Sequence, residues 1–193
     1  VTNSSGTLFE IQHAFSDSQF TVVFYKTLSS KNYVEGLGVD FTTQNLLIAC
    51  KRSSGINAND QKKKSIFSWN VQSKTLNIQP EFEIDLNKLR RKFDQPETLN
   101  EKIQEFFGSG SGSLTFQPSG VAVHPITEEI YVIAHRGSKL VILNRKGKIQ
   151  SIQHLKDKIF KQPEGICFLP DGTLIISNEG RGGKANMLIF NSL

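Results

Sequence analysis

The chain has 193 residues, 37% of them hydrophobic and 21% charged, the make-up of an ordinary folded domain rather than of a disordered or fibrous chain. No apolar run approaches the roughly 20 residues that cross a bilayer, and the opening VTNSSGTLFE lacks the basic and apolar regions of a secretory signal, so the sequence reads as a soluble piece. Lys and Arg number 23 against 18 Asp and Glu, a net charge of +5, but the lysines are scattered over loops instead of gathered in a stripe, which argues against nucleic-acid binding.

Two β-rich runs come first, GTLFEIQ and FTVVFYKTL, within residues 1–30. From Val34 the stretch VEGLGVDFTTQNLLIACKR reads as a hairpin, followed by strands in KSIFSWNV and KTLNIQPEFEI, all within 34–85. Residues 86–113 form a helical insertion. In it QPETLNEKIQEFF carries Pro96 in a first helical turn, apolar Leu99, Ile103, Phe106 and Phe107 on one face, and Gly108 as a stop. GSGSGS, 108–113, has the composition of a flexible linker. A second hairpin, PSGVAVHPITEEIYVIAHR from Pro118, is followed by SKLVILNR and KIQSIQHL within 114–156; a third, PEGICFLPDGTLIISNEG from Pro163, is followed by NMLIFNSL within 162–193.

The three hairpins are copies of one unit. Glu35, Ser119 and Glu164 correspond, as do Gly36, Gly120 and Gly165, and two of the starts lie 45 residues apart. Four short antiparallel strands repeated at that spacing predict an all-β fold, a β-propeller of about three and a half four-stranded blades, drawn from a ring within the usual 4–8. A sandwich has no reason to repeat the strand-opening Gly. The first two runs read as the third and fourth strands of a blade and the last blade ends at its third strand, so the expectation is that upstream blades complete the ring.

In a propeller the start of a blade's first strand and the end of its second lie on one face of the disc. Glu35, Ser119 and Glu164 should therefore share a mouth with Lys51, Arg52, His135, Arg136, Asn178 and Glu179, with Arg181 and Lys184 in the adjoining loop. These groups admit three roles: ion pairs between blades (Glu35 with Arg52, Glu164 with Arg136 or Arg181), oxygen ligands for a hard cation such as Ca2+, or a basic seat for an anionic ligand. His124 lies in a turn at the opposite face and reads as structural. NEGRGGK lacks the spacing of a phosphate loop and precedes a strand. Cys50 and Cys167 read as buried free thiols in different blades, and Trp69 as packing between blades.

PSGVAVHP, YVIAHRGSKLVILNRKGKI, QPEGICFLPDGTLIISNEGRGG and the insertion resemble the SdiA-regulated family of bacterial six-bladed propellers, related in form to NHL-repeat proteins. The resemblance implies a six-bladed ring in a bacterial protein of the cell envelope or periplasm. Lactonase-like propellers place an acidic Glu-Gly residue on a channel metal, which makes Glu35 and Glu164 the corresponding candidates for Ca2+. Two functions follow: a non-enzymatic propeller binding a small molecule or protein at its mouth, or a calcium-dependent hydrolase of the lactonase or phytase sort.

Overall fold

The computed structural model describes residues 1–15, 21–57, 59–93, 107–108 and 115–191. Antiparallel strands dominate. A two-stranded ribbon pairs β1 (Thr7–Gln12) with β2 (Thr21–Lys26). The next sheet orders β3 (Val34–Asp40), β4 (Asn45–Cys50) and β5 (Lys63–Asn70), whose far edge carries β6 (Thr75–Leu76) and β7 (Phe82–Asp85) in turn. Pro80, which has no N–H, falls between β6 and β7, so the fourth strand of this blade is split in two.

After helix α1 (Leu86–Phe93) comes β8 (Phe107–Gly108), the outer edge of a five-stranded sheet with β9 (Gln117–Val123), β10 (Ile130–Arg136), β11 (Lys139–Leu143) and β12 (Ile149–Leu155). The last sheet joins β13 (Pro163–Phe168), β14 (Leu174–Asn178) and β15 (Asn186–Phe190). Apart from β8, which adds to the outer edge beside β12, the three larger sheets run outward in chain order from β3, β9 and β13. The first strands β3, β9 and β13 lie against one another, which makes them the inner strands of an arc of a β-propeller.

Apolar cores fill the spaces between consecutive sheets. Leu8 and Leu28 meet Ile48, Phe67 and Trp69; Leu47, Ala49 and Ile66 meet Val121, Val132 and Val141; Tyr131, Ile133 and Leu140 meet Ile166, Leu174 and Ile176. Trp69 is thus buried between blades, its ring 5.2 Å from that of Tyr25. The inner strands approach closely because glycine leaves room. A Cβ on Gly36 would stand 3.2 Å from the Gly120 Cα, and one on Gly38 would stand 2.2 Å from the Val121 carbonyl oxygen.

Helix α1 begins where Asp85 caps it, its Oδ1 accepting from the Asn87 and Lys88 N–H groups at 2.8 and 3.2 Å. Arg90, Arg91 and Lys92 sit at its C-terminus, favourably for the helix dipole. Leu86 and Leu89 turn into the core between the second and third sheets. The expected helix over QPETLNEKIQEFF and the following linker fall almost wholly outside the described residues. Its end is corrected: Phe107 and Gly108 are extended and pair with Leu155 and His154. The hydrogen-bonding edge of β12 decides their conformation in place of the local apolar spacing.

Candidate functional site

The first two strands of each blade meet in a register that skips one residue. Val34 pairs with Cys50 and Gly36 with Ala49; Pro163 pairs with Asn178 and Gly165 with Ser177; Pro118 pairs with Ala134 and Gly120 with Ile133. The residues left unpaired by these bulges are Glu35, Glu164 and Ser119, the three that correspond in sequence. A bulge re-aims its side chain and ends the regular pairing, and this is why a carboxylate can open an otherwise apolar inner strand.

Glu35 and Glu164 come together at one mouth. Lys51 Nζ donates to Glu35 Oε1 at 2.6 Å, both side chains about three-quarters buried. Partial burial and the neighbouring charge of Glu35 push the Glu164 carboxyl above the usual carboxylate range, against the opposing influence of Lys51 and of a hydrogen bond with Gln162. His135, at the end of β10, is held below its ordinary value, first by burial and then by the charges of Arg181, Lys51 and Arg136. Gln162 Nε2 also donates to Glu179 Oε2.

Two expected pairings are corrected. Glu35 is bound by Lys51 and not by Arg52, whose guanidinium instead lies 4.5 Å from the centre of the Tyr33 ring. Glu164 makes no ion pair with Arg136 or Arg181. Both arginines are exposed, and among the described residues neither forms an ion pair. Arg181 stands between Gly180 and Gly182 with a left-handed backbone, φ 48°.

Ser119 turns inward. Buried between blades, its hydroxyl donates to the Pro163 carbonyl at 2.7 Å and accepts from the His135 N–H at 3.2 Å, so its capacity is spent on joining two inner strands. Asn178 is also buried; its Nδ2 donates to Asn186 Oδ1 at 2.9 Å while its own Oδ1 finds no partner among the described residues. Tyr33 and Gln162 were not singled out in the sequence. They occupy equivalent places just before Val34 and Pro163 and share left-handed backbones, φ 53° and 62°. Their common offset from the Glu-Gly pair was the available signal.

Calcium takes 6–8 oxygen ligands. The mouth offers the carboxylates of Glu35, Glu164 and Glu179, the first already engaged by an ammonium and the last by Gln162, amid several cations, and among the described residues no group of three or more His, Cys, Asp or Glu side chains gathers as a metal site. That set does not fit a resident calcium ion.

At the opposite face Arg145 clamps Asp40. Its Nη1 and Nη2 donate to Asp40 Oδ2 and Oδ1 at 2.6 and 2.9 Å, and Nη2 also to Thr42 Oγ1 at 2.8 Å. Burial raises the Asp40 pKa, but Arg145 and the hydrogen bonds of Thr43 and Thr42 more than offset it and hold the carboxyl below its usual range. His124 organises the neighbouring turn, its Nδ1 accepting from the Ile126 and Thr127 N–H groups at 3.1 Å. Among the described residues no helix is long and apolar enough to cross a membrane.

No protein-family model matches this chain, and no curated protein does. Its likenesses are to solved structures, and they are likenesses of fold. A luciferin-regenerating enzyme matches 90% of this chain and 48% of its own at 10% identity and a TM-score of 0.53. A structure of the nidogen/laminin complex matches 98% and 56% at 12% identity and a TM-score of 0.54. A gluconolactonase from Xanthomonas campestris matches 98% and 56% at 16% identity, with a TM-score of 0.47. The chain therefore spans about half the length of the structures it matches.

Proposed function

We propose that this protein is a non-enzymatic binding propeller whose mouth at the Glu164 end takes a small anionic ligand. The observation that supports the reading is the surplus of positive charge there. Arg136 and Arg181 have no carboxylate partner among the described residues, Lys51 is nearby, and Glu164, which makes no ion pair, is pushed towards its neutral form. An anion would relieve the crowding of cations around His135, and arginine forks suit carboxylate and phosphate oxygens. The resemblance to SdiA-regulated propellers extends this proposal to a bacterial envelope or periplasmic protein within a six-bladed ring.

Calorimetric titration with inorganic phosphate tests the reading. Uptake should weaken about tenfold in Arg181→Ala, the loss of one charge-assisted hydrogen bond, and should hold or tighten in Glu164→Gln. Stoichiometric calcium uptake that Glu164→Gln weakens and Arg181→Ala leaves intact would overturn it in favour of a metal-dependent hydrolase.

A further inference from the structure

Three hairpin turns of this chain are built on one plan. They open at Asp40, Asn70 and His124, and each carries a left-handed residue four places on: Gln44 at φ 57°, Lys74 at 56° and Glu128 at 58°. In the first two the opening side chain closes the turn by accepting backbone N–H groups, Asp40 Oδ1 from Thr42 at 3.1 Å and Asn70 Oδ1 from Gln72 at 3.0 Å and Ser73 at 2.7 Å. Asp and Asn are the ordinary occupants of such a place, and near neutrality their oxygens always accept. His124 fills it with a ring nitrogen. Its Nδ1 accepts from the N–H groups two and three places on, those of Ile126 and Thr127, each at 3.1 Å, as Asn70 does in its own turn.

A ring nitrogen accepts only while it carries no proton, so this turn requires the neutral imidazole with its hydrogen on Nε2. An imidazolium would set a donor against two donors. The surroundings favour the neutral ring as well, with Phe168 4.7 Å and Tyr131 6.0 Å away between ring centres, and the Gly172 backbone so near that a Cβ there would stand 3.3 Å from Cε1 and Nε2. Burial lowers the His124 pKa from 6.5 and outweighs the attraction of Glu129, the charge that raises it. Tyr131, pushed up to about 12 by burial, stays uncharged. The other charges on the elements packed about the ring are Glu128 on its own turn, Asp171 of the β13–β14 turn, whose Oδ1 is engaged by the Thr173 N–H, and the paired Asp40 and Arg145.

The His124 turn also reaches the neighbouring blade. Glu128, its left-handed residue, accepts from Thr42 Oγ1 at 3.2 Å through Oε1 and stands 3.7 Å from Arg145 Nε through Oε2. Thr42 belongs to the Asp40 turn, so two turns of like plan are tied between blades beside the Asp40–Arg145 clamp. We infer that His124 is a pH-sensitive latch: on protonation its ring releases the Ile126 and Thr127 N–H groups, the turn gives up the conformation that presents Glu128, and the Glu128–Thr42 contact between blades opens while the Asp40–Arg145 pair remains. Both blades lie within the chain. The latch stands on the face opposite Glu164 and does not depend on what binds at that mouth.

Nuclear magnetic resonance of amide and imidazole nitrogens between pH 7.5 and pH 5.0 tests the latch. At the upper end His124 should show a bare Nδ1. As pH falls, the Ile126, Thr127 and Thr42 amide shifts should move together along the His124 titration, with a midpoint below 6.5. Solvent exchange of the Ile126 and Thr127 amides, corrected for its intrinsic pH dependence, should quicken about tenfold, as for the loss of one hydrogen bond. Gln72 and Ser73, held by an amide oxygen that does not titrate, should keep their rates. His124→Asn should hold its turn closed throughout, because Asn70 serves the same pair of donors, and should abolish the response at Thr42. Ile126 and Thr127 amides that ignore the wild-type His124 titration would overturn the inference whether or not the variant folds, and so would a pH response that survives in His124→Asn. A Thr42 amide that stays still while those of Ile126 and Thr127 move would overturn the tie between blades.

Discussion

Asp40 and Arg145 show how a single pair can tie two blades. Asp40 ends β3, Arg145 lies in the turn between β11 and β12, and the carboxylate is buried beneath a two-pronged guanidinium. Removing the cation leaves that carboxylate without compensation, so Arg145→Met should cost about 3 kcal/mol in urea unfolding. Asp40→Asn combined with Arg145→Met should cost less than Arg145→Met alone, because no buried charge is stranded. The histidines give a pH dependence. Burial, foremost in each case, holds His124, His135 and His154 below the ordinary value of 6.5. A depressed folded-state value means that the unfolded chain binds the proton more tightly, so their contribution is present above about pH 6.5 and is lost as pH falls below it. Glu164 runs the other way: its raised value contributes stability below the ordinary carboxylate value of 4.5, lost as pH rises. Melting temperature should therefore fall from pH 7 to pH 5.5, and His135→Gln should flatten part of that slope. Glu164→Gln should raise stability at pH 7 by less than about 1 kcal/mol, given the solvent screening of a half-open site, with the gain gone near pH 4.

Among the elements, the hairpins were the most legible in the sequence. Alternating apolar residues, the Asp171-Gly172 turn and the repeated Glu-Gly or Ser-Gly opening carry their own local physics, and they reappear as β3–β4, β9–β10 and β13–β14. What escaped was fixed by neighbours. The choice of Lys51 over Arg52 as partner of Glu35 depends on how the bulge re-aims Glu35. The strand at Phe107–Gly108 depends on a free edge of β12. The inward turn of Ser119 depends on a carbonyl in the next blade, which no reading of PSGVAV supplies. Close approach of inner strands gives the element-scale prediction. In Gly38→Ala the new methyl would stand 2.2 Å from the Val121 backbone oxygen, so β3 and β9 must separate, at about 1–3 kcal/mol. In Gly165→Ala the methyl meets the Ser177 hydroxyl at 2.4 Å, a side-chain atom that can rotate away, so the melting loss should be smaller.

At the scale of the whole molecule the stacked sheets behave as a series in which each face is stabilised by the next, and only the terminal faces lack that cover among the described residues. The two cysteines report on this difference directly. Cys50 lies in the core between the ribbon and the second sheet, where burial pushes its thiol up to about 12; little thiolate forms near neutrality and the side chain has no path to reagent. Cys167, expected to be buried, is exposed on the face of the last sheet that also carries Met187 and Ile189. Native-state alkylation followed by mass spectrometry should thus label Cys167 alone, with Cys50 modified only after denaturation.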